Sequence, residues 1–194
     1  SDFITDQLCM MQAPQLLLRL LTVIFPLVLA SCADVTCKQI AGDTPAKLDP
    51  EKWNGAWSSD GGASIHTRVK DADKGLLEVA WLEVKDEAIE LKKLDVSIRQ
   101  AGGWLWASYK EKNDKGYTIA RVGEPGGNLL AWTLRSAPVI KRVKSGELKG
   151  EVLKNDEGKE LKEVRLDALH DTDLQAIRDG KWGELFDWDK PALN

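Results

Sequence analysis

Two histidines, three cysteines and 31 carboxylates are the side chains in this chain that could carry acid–base, metal or nucleophilic chemistry. Their spacing selects none of it. His66 and His170 lie far apart, and neither sits at metal-ligand spacing from the other or from Cys9, Cys32 or Cys37. Asp71-x-Asp73-x-Gly75 holds the first part of a calcium loop without its remaining ligands, so a charged hairpin turn is expected there. There is no G-x-S-x-G elbow, no H-E-x-x-H and no phosphate loop. Carboxylates are spread over turns and outer faces, so no pair stands out as a dyad. The chain is read as a non-enzyme, with no catalytic residue, no metal and no cofactor assigned.

The informative chemistry is aromatic. All eight tryptophans fall between Trp53 and Trp188. Trp104 and Trp106 share a strand face, Trp81 shares one with Leu77 and Val79, and Trp132 lies between Leu130 and Leu134. Two arrangements are open to these rings. They can fill the core, each burying a large apolar area. Alternatively Trp81, Trp104, Trp106 and Trp132 can line a site for an apolar ligand. The filled core is favoured. Trp57, Trp81, Trp104, Trp106 and Trp132 are expected on one side of a curved sheet, with Leu105, Ala107 and Tyr109 pointing outward or against a helix.

The elements that must position these rings are mainly strands. Period-two patterning runs from Trp53 onward, through Ile65 to Val69, Gly75 to Val84, Trp104 to Tyr109, Tyr117 to Val122 and Leu129 to Leu134. Between Ile89 and Ile98 the apolar residues change parity near Lys92-Lys93, which predicts a bulge or break. Turn residues at 71–75, 113–116 and 123–128 suit hairpins. The 136–146 stretch, with Pro138 in its first turn and Gly146 at its end, predicts a short helix at 137–145. Strands follow near 147–153 and 161–166. Thr172-x-x-Gln175 predicts a capping box on a second helix, 172–179, with Leu174 and Ile177 inward. Trp182, Leu185 and Phe186 continue at helical spacing and predict a further turn. The expected fold is mainly β: an antiparallel barrel or strongly curved meander sheet with two short helices.

The N-terminal stretch supplies an address. Arg19 is followed by an uncharged apolar run, 20–30, too short to span a bilayer and interrupted by Pro26. Small residues close it, as in a secretory signal peptide. Leu29-Ala30-Ser31-Cys32 resembles the lipobox of bacterial lipoproteins. That resemblance implies a cleaved signal over residues 1–31, with natural initiation at Met10 or Met11, and lipid attached to Cys32. It places the protein in the bacterial cell envelope. Ala33 after the cysteine favours the outer membrane over retention at the inner one. A flexible tether over 32–50 is expected, carrying Cys37 as a free thiol, followed by a single domain over 51–194.

Removal of the leader takes Arg19, Asp2 and Asp6 with it and leaves a nearly balanced domain of roughly 160 residues, enough for one core. Such a balance excludes nucleic acid as a partner, because phosphate binding needs a clustered basic surface. The expected partners are a membrane, reached through the N-terminal lipid, and an apolar small molecule or an envelope protein. Gly55-Ala56-Trp57 on the first meander strand also resembles the G-x-W motif of lipocalins. That second resemblance implies an eight-stranded barrel binding lipids or small apolar compounds, with Trp57 packing across a closed end.

Overall fold

The computed structural model describes residues 35–58, 64–85, 88–112, 114–123, 129–155 and 157–189. The chain divides into units Ser1–Ser31 and Cys32–Asn194, and the described residues all belong to the second. The leader, Met10, Met11 and Cys32 lie outside them.

The period-two segments form strands β2 (Gly55–Ser58), β3 (Ser64–Asp71), β4 (Leu76–Lys85), β5 (Ala88–Ala101), β6 (Trp104–Tyr109), β7 (Tyr117–Gly123) and β8 (Leu130–Thr133). Each pairs antiparallel with the next, so the central sheet is the expected meander. After β8 come helix α2 (Ser136–Lys144), hairpin β9 (Gly150–Lys154) and β10 (Glu160–Leu166), and helix α3 (Asp171–Arg178). Among the described residues no helix is long and apolar enough to cross a membrane.

Two elements were not expected. The supposed tether is folded: it contributes strand β1 (Val35–Cys37) and helix α1 (Pro50–Trp53). β1 lies parallel to β10 and antiparallel to the first half of β7, whose second half pairs with β8. The sheet path therefore runs from β2 through the meander to β7, then β1, β10 and β9. It is mixed, curved and open, and it does not close into a barrel. A three-residue strand has no room for visible periodicity, which is why 33–50 read as irregular. Its tertiary bonds supply the order. Gly42 N–H donates to the Leu169 carbonyl (2.7 Å), Ala46 to Ile98 (3.0 Å) and Leu48 to Ala72 (3.0 Å). Trp53, expected to open a strand, instead ends α1, whose Asp49 cap accepts from Glu51 N–H.

Both faces of the sheet are covered. On one, β1, β6, β7, β8 and β10 pack against α2, α3 and the turns holding Trp182, Leu185 and Phe186. On the other, the meander curls around Ala46, Leu48, Trp53, Leu77, Val96 and Ile98. This overturns the expectation that five indoles share one side. Trp57 and Trp81 join the second core, whereas Trp104, Trp106 and Trp132 join the first. Leu105 and Ala107 are accordingly not outward but face the second core. The sequence pattern of β6 could not reveal this, because a strand buried on both faces is apolar throughout.

Local signals shifted slightly. α3 starts before Thr172, with the Asp173 carboxylate accepting from the His170 N–H at 3.0 Å, so the reciprocal cap is not Thr172/Gln175. Arg135, rather than Ser136, is the N-cap of α2. A further turn does follow α3, at 181–182, and Trp182, Leu185 and Phe186 pack inward from it and the chain after it. No bulge occurs at Lys92-Lys93, where β4 and β5 stay in register from Leu76↔Ser97 to Lys85↔Ala88.

The β3–β4 turn shows how tightly the folded N-terminal segment is held. Gly75 has φ +65°, and a Cβ there would lie 2.2 Å from the Ile98 carbonyl oxygen and 2.9 Å from that of Ala46. Gly158 has φ +78° with nothing within 4 Å. The left-handed conformation alone costs a side chain about 1–2 kcal/mol, so Gly158→Ala should lose about that much. Gly75→Ala adds a collision with backbone and should lose at least about 3 kcal/mol. Urea unfolding of the two variants checks this, and equal losses would remove the close-approach argument.

Candidate functional site

β7 carries the alternation Tyr117, Ile119, Arg121 toward the helix-covered face. Arg121 is therefore a cation on a strand face that is otherwise apolar. Register sets Trp106 beside it on β6 and Trp132 beside it on β8. The C-terminal segment then folds back over them: the Trp132 indole N–H donates to the Trp188 carbonyl at 3.1 Å. Trp188 packs edge-on against Trp104 and Trp132, with centroids 5.7 and 5.6 Å apart, and lies 4.9 Å from Phe186. The guanidinium carbon of Arg121 sits 4.5 Å from the Trp104 ring centroid, 4.8 Å from that of Trp132 and 5.0 Å from that of Trp188.

Three indole faces thus surround the guanidinium. Burial pushes the Arg121 pKa down, and its Nε is buried without a hydrogen-bond partner among the described residues. Ring quadrupoles stabilise such a cation by about 0.5–2 kcal/mol each. Trp188 remains 40% exposed, so the cluster reaches the surface. Of the four tryptophans singled out from the sequence, Trp104, Trp106 and Trp132 come together here, and Trp81 lies on the opposite face. Arg121 and Trp188 were missed. The available signal was a charge continuing an apolar alternation on β7.

A second feature lies on the β4–β5 hairpin. β3 follows β4 only to Trp81, and β6 follows β5 only from Val96. Beyond Trp81, among the described residues, the hairpin continues as a two-stranded arm of four residues a side, 82–85 against 88–91, about 13 Å long at about 3.3 Å per residue. Leu82 opposes Leu91 and Val84 opposes Ile89, all on one face and 60–70% exposed. Burying each of them fully would gain roughly 1–2 kcal/mol. The other face of the arm is polar, with Lys92 bridging Glu83 (3.3 Å) and Glu90 (2.5 Å). The parity change read from β5 is therefore real, but it inverts the sidedness of the arm instead of marking a bulge. β4 inverts at the same level, after Trp81.

Of the remaining reactive groups, His66 is exposed on β3, whereas Cys37 and His170 are structurally employed. Cys37 is fully buried in β1, and burial raises its thiol pKa, making it a poor nucleophile. His170 Nδ1 lies 3.0 Å from Asp43, whose other carboxylate oxygen accepts from Asp171 N–H. The Thr44 hydroxyl donates to Asp171 and not to the histidine, so this histidine–carboxylate pair fastens the N-terminal segment to the start of α3. Among the described residues no group of three or more His, Cys, Asp or Glu side chains could hold a metal ion. No protein-family model, curated protein or solved structure matches the chain.

The His170–Asp43 pair makes stability depend on pH. The Asp43 hydrogen bond raises the His170 pKa, and the histidine contact lowers that of Asp43. The histidine contribution is complete below its unfolded pKa, about 6.5, and is lost as pH rises through the higher folded value. The aspartate contribution is present above its unfolded pKa, about 3.9, and is lost as pH falls through the lower folded one. Wild type should therefore exceed His170→Ala in urea midpoint most clearly around pH 5–6, with the gap narrowing above about pH 6.5. A gap independent of pH would show that the ion pair does not form.

Proposed function

We propose that this protein is a lipid-anchored bacterial envelope lipoprotein with a non-catalytic, interaction role. Leu29-Ala30-Ser31-Cys32 supports the anchor and the address. The observation that carries the role is the aliphatic ladder Leu82/Leu91 and Val84/Ile89, exposed on an arm whose opposite face is ion-paired. Such a face suits contact with another macromolecule. Its position fits the same reading. The described chain runs into the sheet through β1 from the Gly123 end of β7, whereas the arm leaves from the Tyr117 end. The arm thus leaves the sheet from the end opposite to the one at which the described chain enters.

Two substitutions separate address from role. Cys32→Ala should move the protein from the detergent phase to the aqueous phase, because the acyl chains hold it in the membrane. Persistence in the detergent phase rejects the anchor. Leu82→Ser with Leu91→Ser should change folding stability by under about 1 kcal/mol, since both side chains are exposed. The same change should shift the protein, solubilised from membranes, to a smaller assembly on native electrophoresis. Unaltered assembly size rejects the ladder as the interacting surface.

Binding of a small apolar molecule is a second reading, favoured by the cluster of Trp104, Trp132 and Trp188 around Arg121. A carboxylate on an apolar chain suits a guanidinium beside an exposed indole. Titration with fatty acid should then give saturable quenching or a blue shift of tryptophan emission, lost in Arg121→Met. An unchanged spectrum rejects this reading.

A further inference from the structure

We propose that the arm pairs with a second copy of this chain, β5 against β5, about a two-fold axis at Leu91. This rests on the interaction role above and names the partner.

The outer edge of β5 over residues 88–95 has no strand beside it among the described residues, since β6 begins its pairing at Val96. An edge of that length is a template for another strand. What selects the strand is the order of charges along Ala88-Ile89-Glu90-Leu91-Lys92-Lys93-Leu94-Asp95. Directly opposed residues in an antiparallel pair share a face, so a two-fold between identical strands falls on a residue. Centred on Glu90, Lys92 or Lys93, it sets like charges against each other, which is unfavourable; centred on Leu94 it opposes Lys93 and Asp95 but runs at once into Val96, already paired to β6. Centred on Leu91, it sets Glu90 opposite Lys92 of the second copy, and Lys92 opposite Glu90. Both pairs fall on the face where Glu83, Glu90 and Lys92 are already linked in each copy.

The aliphatic face agrees with the same register. Leu91 meets its own counterpart on the axis, and Ile89 lies beside Lys93 of the second copy, whose methylene stem can cover it. The aliphatic blocks of both arms become one surface. Pairing about a two-fold is closed: each copy's β5 edge is taken by the other's, so this contact builds a dimer and does not propagate.

The test is sedimentation velocity of the full chain in mild detergent, with far-UV circular dichroism to confirm the fold. Wild type should form dimers in proportions that rise with concentration. Glu90→Lys should lower dimer affinity at least tenfold, because it sets like charges in opposition twice. Adding Lys92→Glu should restore it by inverting both pairs. Hydrogen exchange across 88–94 should slow with concentration in wild type and in the double variant only. Wild type that stays monomeric, or a Glu90→Lys variant that dimerises like wild type, overturns the proposal. If the purified chain is monomeric while Leu82→Ser with Leu91→Ser still dismantles the envelope assembly, self-pairing fails and the interaction role stands.

Discussion

The fold depends on three residues. Val35–Cys37 lies between β7 and β10 and is the bond between the meander and the C-terminal hairpin. Remove it and β9–β10 has no sheet neighbour, and an isolated hairpin is marginal in water. The insertion succeeds because Val35 and Cys37 are fully apolar toward the core while Thr36 pairs with Thr118. It also explains the open sheet. β1 takes part of the β7 edge and β8 takes the rest, so the path turns toward β10 instead of closing on β2.

Covering both faces follows from that turn. The helices and the tail bearing Trp182 to Trp188 pack over the face formed by β1, β6, β7, β8 and β10, and the meander uses its other face for a separate core. Tryptophans are shared between the two. Each face therefore has its own large rings, and the sheet itself is the partition. A filled interior was the favoured reading of the indoles; in the fold those on β2 and β4 and those on β6 and β8 answer to different cores.

Much of this was legible in the residues. The strands from β3 to β7 stand within a few positions of their patterned stretches, because alternation and turn residues agree there. Pro138 and Gly146 marked the ends of α2, and Leu174 and Ile177 marked the inner face of α3. The folded 35–53 segment was not legible, since its order comes from single hydrogen bonds to residues far along the chain. Arg121 stood out only as a charge continuing the β7 alternation, and that alone does not separate a cation held by rings from one facing water. The ladder on the arm was half visible. The change of parity in β5 was read correctly as a pattern, but its cause lay in β4, which changes at the same height, and only the register brings the two together.

The opposed placement of β1 and the arm has a mechanical consequence. Tension applied through the chain preceding Val35 and resisted at the arm would pull β1 lengthwise against both neighbours. Hydrogen bonds loaded that way share the force and must yield together, unlike those of a strand peeled from an edge. The short strand that joins the two halves of the sheet is thus oriented to bear load in shear, with a fully buried Cys37 at its inner end.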